Sequence, residues 1–119
     1  MNKICTSIEQ SKKLIELGVD VNTADMYWWF SGKRYYIEAM DDGDFNEEEG
    51  HIRAWSLAAL LDILPCNLKL VLAINDFQGD RKEKYVIGSV EHDKYDCFAD
   101  NPIDACYEMI IKLHELKML

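Results

Sequence analysis

Leu57, Leu60, Leu61 and Leu64 fall at i, i+3, i+4 and i+7, the spacing that lines one face of a helix. Ser56 stands at its N-cap position and Pro65 closes it. Another stripe of the same period runs through Ile103, Cys106, Ile110 and Leu113, with Asp104, Glu108, Lys112 and Glu115 on the solvated side. Asn101 caps that helix, and Pro102 takes the first position, where no N–H is required. An earlier helix opens at Thr6-Ser7-Ile8-Glu9, which reads as a capping box between Thr6 and Glu9. Ile4, Ile8 and Ile15 share one side of it, with Ser11 between them, and Gly18 stops it.

Between the helices the period changes to two. Met26-Tyr27-Trp28-Trp29-Phe30 is dense in strand formers. After the turn Ser31-Gly32-Lys33, Tyr35, Ile37 and Ala39 alternate with Arg34, Tyr36 and Glu38. Leu68, Leu70, Leu72 and Ile74 then alternate with Lys69, Val71, Ala73 and Asn75. A turn at 76–80 leads to a returning strand over Tyr85 to Val90, and Tyr95 to Phe98 adds a short extended piece. Each pair of strands with its short link makes a hairpin, hence antiparallel pairing. The order α-β-β-α-β-β-α predicts a single α+β domain over 1–119. Its expected architecture is a two-layer sandwich, a four-stranded antiparallel sheet with the helices packed on one face.

A chain of 119 residues, 49% hydrophobic and 29% charged, has the balance of a globular domain. The net charge of −9 is less ordinary. It disfavours nucleic acid, because an acidic surface releases no counterions from a phosphate backbone, and it disfavours anionic membranes likewise. The segment between the first hairpin and the leucine stripe explains most of it. Asp41, Asp42, Asp44, Glu47, Glu48 and Glu49 carry six of the negative charges, and without them the net charge would be −3. No apolar run approaches the roughly 20 residues of a membrane span, and Met1 to Ser7 contains no apolar signal region. The expected location is the cytoplasm.

Candidate chemistry is sparse. Cys5, Cys66, Cys97 and Cys106 form no CxxC pair and are expected as free thiols. Cys97 lies near His92 and Asp96, but residues 92 and 97 of an extended segment face opposite sides. Neither His51 nor His114 has a histidine partner at i+4. Asp42-Gly43-Asp44-Phe45-Asn46 opens like a calcium loop, yet the sixth position is Glu47 rather than glycine and the twelfth is Arg53 rather than glutamate. The stretch Lys13 to Asn22 ends like an ankyrin repeat, but nothing recurs about 33 residues on. No catalytic, cofactor or metal residues are assigned, and no cofactor is expected.

The aromatic run is the more informative feature. With Met26, Trp28 and Phe30 facing the helices, Tyr27 and Trp29 face the other side, joined by Tyr36 and, from the third strand, Val71. Large aromatics on an uncovered sheet face call for cover by a second copy or a protein partner.

Four stretches resemble a family of small uncharacterised proteins of Bacteroides-type gut bacteria and their prophage-like elements. They are Thr6 to Gly18, Asn22 to Trp28, Ala54 to Leu61, and Ala99 to Leu113. The resemblance implies a bacterial cytoplasmic accessory protein of mobile-element context, and it brings no functional residues with it.

The expected function is a small non-enzymatic interaction module, homodimeric or an inhibitory accessory protein that mimics nucleic acid towards a basic partner. Its candidate surface is Tyr27, Trp29, Tyr36 and Val71 on the sheet, with Asp41, Asp42, Asp44, Glu47, Glu48 and Glu49 on the loop. The alternative is a small-molecule-binding protein or enzyme with a pocket between sheet and helices near Trp28, Tyr36, His51 and Trp55.

Overall fold

The computed structural model describes residues 3–40, 43–75, 81–89 and 95–119. Its helices are α1 (Ile8–Glu16), α2 (Leu57–Ile63) and α3 (Pro102–Glu115). Its strands are β1 (Met26–Phe30), β2 (Tyr35–Ala39), β3 (Ile52–Ala54), β4 (Leu70–Ile74), β5 (Tyr85–Ser89) and β6 (Cys97–Ala99). The class is α+β, but the strands form two three-stranded antiparallel sheets, β2-β1-β3 and β4-β5-β6. The expected single four-stranded sheet is therefore wrong. Both predicted hairpins form, pairing Trp28 with Ile37 and Leu72 with Ile87. Each then gains a third strand on the free edge of one member, β3 on β1 and β6 on β5. A three-residue strand is too short to display alternation, so the added edges left little pattern to read.

By its internal contacts the chain divides into two compact units, Ile4–Ala59 and Leu60–Leu119 with Lys3. The first is organised around Trp55, which is fully buried. Thr6 N–H donates to Trp55 O at 2.9 Å, and Trp55 N–H donates to Thr6 Oγ1 at 3.1 Å. Cys5 and Ser56 form a β-bridge beside them. The Trp55 indole donates to Thr23 Oγ1 at 2.9 Å, and the Trp28 indole to Thr6 O at 3.0 Å. Asp25 takes both the N–H and the hydroxyl of Ser56, whose oxygen also accepts from Ala59 N–H as the start of α2 requires.

Thr6 is thus committed to the interior, and it does not cap α1. The cap is one residue later. Ser7 accepts from Gln10 N–H, and the Gln10 side chain accepts from Ser7 N–H. At the other end Gly18, at φ +93°, donates to Ile15 O while Val19 donates to Leu14 O, a Schellman closure. The buried face of α1 is Ser11 and Leu14, not the expected isoleucines, for Ile4 and Ile15 are exposed. Ser11 lets α1 approach closely, because its hydroxyl meets Thr6 Oγ1 at 2.7 Å, and α1 packs on β3.

In the second unit α3 packs on β5 and β6. Its predicted stripe of Ile103, Cys106, Ile110 and Leu113 is buried, and Ala105 and Met109 widen it. The Asn101 side chain accepts from Asp104 N–H at 2.8 Å, and Lys3 Nζ donates to Asp104 Oδ1 at 2.7 Å. The leucine stripe of α2 is less regular than its spacing. The helix ends at Ile63, so Leu64 lies outside it; Leu60 is buried and Leu61 exposed.

Thr6→Val keeps shape but removes the acceptor of Trp55 N–H and the partner of Ser11. We expect it to cost about 1–3 kcal/mol, the penalty for buried polar groups left unpaired. In chemical denaturation, adding Ser11→Ala should cost less than it does alone, because the two hydroxyls serve each other.

Candidate functional site

Strand alternation and register place Tyr27 and Trp29 of β1, Tyr36 and Glu38 of β2, and Arg53 of β3 on one face of the first sheet. Met26, Trp28 and Phe30 point to the other. That face is not left bare, because residues 43–51 fold over part of it. Phe45 meets Tyr27 edge-on, with centroids 5.4 Å apart, and the Arg53 guanidinium lies over the Phe45 ring at 4.5 Å. His51 packs on Tyr27 at 5.5 Å. Tyr27 is consequently only 3% exposed, and the cover at this position is the chain's own loop. Trp29 and Tyr36, further along the strands, are 39% and 44% exposed with their rings 5.6 Å apart.

The loop holds its shape through Asn46. The side chain of Asn46 accepts from Glu48 N–H at 2.9 Å, and the Asn46 backbone carbonyl accepts from Glu49 and His51 N–H. Its own N–H donates to His51 Nδ1 at 3.0 Å. Gly50, at φ +90°, turns the chain from the 3-10 turn Glu47–Glu49 into β3. A Cβ there would come within 3.2 Å of the Phe30 ring, so both the conformation and the space favour glycine.

Loop and sheet face border a solvent-open cavity of about 610 Å³. The rings of Tyr27, Trp29, Phe45 and His51 line it together with the acidic residues Glu38, Asp44 and Glu49; the remaining lining is Gly43 and Asn46. Neither lysine nor arginine stands among these lining residues. His51 is unusual in this setting. Its Nδ1 accepts, so the ring proton sits on Nε2. That nitrogen is buried without a hydrogen-bond partner, and the nearby Glu49 Oε2 stops at 3.8 Å. A buried donor left unpaired is costly, so it marks a place where a further interaction is favourable.

The structure brings together part of the surface expected from the sequence. Tyr27, Trp29, Asp44 and Glu49 line one cavity, and Tyr36 stacks beside Trp29. Glu47 lies instead towards Arg53, 3.7 Å from its Nε, and Glu48 is exposed outside the lining. Asp41 and Asp42 lie outside the described residues. Val71 is 52% exposed on β4 and belongs to the second sheet, so it shares no sheet face with the aromatic run. The alternative pocket near Trp28, Tyr36, His51 and Trp55 divides as well. His51 lines the cavity, while both indole N–H groups of Trp28 and Trp55 are spent inside the first unit. Phe45 and Glu38 were absent from the expected surface. The short interval from Asn46 to Gly50, an Asx-turn residue followed by a left-handed glycine, is the signal that the loop folds back on itself.

Elsewhere, burial pushes the Cys97 thiol up, with Lys112 opposing and Glu108 and Asp96 adding to it. Burial alone pushes Cys106 up to about 12. Neither is an activated nucleophile. His92 lies outside the described residues. Among the described residues no group of three metal-ligating side chains could hold an ion, and no helix is long and apolar enough to cross a membrane. No family model matches the chain, and neither a curated protein nor a solved structure is significantly similar to it.

The raised Cys106 value fixes a sign for alkaline stability. The folded state favours the protonated thiol, so its contribution is intact below the unfolded value near 9 and is lost as pH rises towards about 12. Denaturation midpoints should fall across that window. Cys106→Val, which has no thiol to ionise, should show a shallower fall than the native chain.

Proposed function

We propose that the protein is a non-enzymatic binding module that receives a basic segment of a partner protein on the face formed by residues 43–51, β1 and β2. One observation carries this reading: aromatic rings and carboxylates line the same cavity with neither lysine nor arginine among them. Rings attract cations through their electron-rich faces, and carboxylates supply the opposite charge. The exposed acids Glu47 and Glu48 on the same loop extend the negative field beyond the cavity and would speed encounter with a basic partner. An acidic accessory protein that occupies a basic surface fits this arrangement.

The test separates local charge from net charge. A lysine- and arginine-containing peptide should bind with an affinity that falls as salt rises. The combined variant Asp44→Asn, Glu47→Gln, Glu48→Gln, Glu49→Gln should weaken it by about tenfold or more, close to 1.4 kcal/mol. Neutralising the exposed Glu9, Glu16, Asp62 and Glu115 changes the net charge equally and should have little effect. Equal losses in the two variants, seen by calorimetric titration, would reduce the interaction to nonspecific charge attraction and refute the reading.

A further inference from the structure

Resting on that reading, we infer that the cavity is a socket for one guanidinium group, the head of an arginine side chain presented by the partner. The chain itself shows what such a group pairs with. Arg53 lies over Phe45 at 4.5 Å with Glu47 3.7 Å from its Nε. Arg81 lies over Phe98 at 4.6 Å and forks onto the Glu83 carboxylate at 3.0 and 3.1 Å. In both places a guanidinium lies over a phenyl ring with a glutamate near it, hydrogen-bonded at Arg81 and at ion-pair distance only at Arg53. The cavity repeats the ring and carboxylate halves of this arrangement, in Trp29 and Tyr27 with Glu38, Asp44 and Glu49, and lacks the guanidinium. A planar guanidinium stacks flat on a ring while its in-plane N–H groups fork onto a carboxylate; a lysine ammonium can also sit over a ring, as Lys84 does over Tyr85 at 5.6 Å, but only as a point charge without that fork. A volume of about 610 Å³ leaves room for the side chain together with adjoining backbone.

His51 is the second, independent sign of a ligand. Its side chain is 1% exposed, and its Nε2–H lacks an acceptor while Glu49 stands 3.8 Å away with most of its surface in water. Drawing Glu49 inwards by about 1 Å would complete that hydrogen bond, to roughly 2.8 Å, but would strip water from the carboxylate. A guanidinium on the second carboxylate oxygen replaces the lost water. Glu49 then bridges His51 and the ligand, and His51 acts as a positioning residue.

The experiment is a titration of the full chain, followed by NMR, with Nα-acetyl-arginine amide, its lysine counterpart and its uncharged citrulline counterpart. The arginine compound should saturate and shift Trp29, Phe45 and His51. The lysine compound should bind several-fold more weakly, and citrulline about tenfold more weakly or worse. Trp29→Ala and Glu49→Gln, both at exposed side chains, should each reduce arginine affinity. His51→Phe should do so too, while His51→Gln, which keeps a donor near Nε2, should recover part of it. Equal binding of citrulline and arginine, or shifts confined to residues away from the cavity, would overturn the inference. If a lysine-only peptide binds as tightly as an arginine-only one, the guanidinium socket fails while the basic-segment reading stands. If neither peptide binds, that reading falls first.

Discussion

The reciprocal pairing of Thr6 with Trp55 is the constraint on which the first unit depends. It joins two points 49 residues apart in sequence through one backbone bond and one hydroxyl acceptor. Closing a loop of that length has an entropic cost, so the contact needs cooperative support. It receives it from the bridge between Cys5 and Ser56, from the Thr6–Ser11 hydroxyl pair, and from two indole N–H groups that end on Thr6 O and Thr23 Oγ1. A fully buried tryptophan whose N–H is satisfied contributes its whole apolar area without an unpaired donor. β3 immediately precedes Trp55, so the junction holds that short strand against β1.

The cavity follows from the placement of β3. Arg53 is carried on β3 and His51 directly precedes it, while Gly50 provides the turn that brings residues 43–49 back across Tyr27. The loop would not stay there on charge alone, since its carboxylates repel one another and favour water. Two contacts oppose this. Phe45 buries part of its ring against Tyr27, and Arg53 covers Phe45 while lying near Glu47. A single apolar residue in an acidic stretch thus decides where the acids are displayed.

How much of this was legible in the sequence depended on the length of each signal. α3 spans fourteen residues, with a cap, a proline and a four-member stripe in agreement, and all three are realised. The hairpins were legible because five-residue strands show alternation. β3, at three residues, carries no period and becomes a strand through its neighbour's free edge, while the extended piece read at Tyr95 to Phe98 overlaps β6 without revealing that it pairs with β5. Without them the sequence favoured one sheet where there are two, and Val71 was grouped with aromatics of a different sheet. The shift of the α1 cap from Thr6 to Ser7 has a similar origin. Two adjacent hydroxyl residues offer two registers, and the choice was made by Trp55, far along the chain. Tyr27 and Trp29 were correctly set on the face away from Trp28, since period-two geometry is local. That a loop would cover Tyr27 and leave Trp29 open required knowing where Phe45 lands.

The charge of the chain also changes meaning once its residues are placed. As a bulk property, −9 argues only about solubility and nonspecific partners. As a distribution, it sets Glu38, Asp44 and Glu49 on the wall of a cavity that Tyr27, Trp29, Phe45 and His51 also line. These carboxylates are exposed to water, which screens their mutual repulsion, and a cation placed among them would be attracted by all three. The chain places a guanidinium, that of Arg53, over the Phe45 ring, but neither lysine nor arginine among the lining residues of the cavity. The same logic applies to His51, whose fixed tautomer directs a proton towards a carboxylate 3.8 Å away that has not come to meet it. The proposed guanidinium beside Glu49 would answer both features at once, giving the carboxylates a counter-charge and drawing an acceptor towards His51.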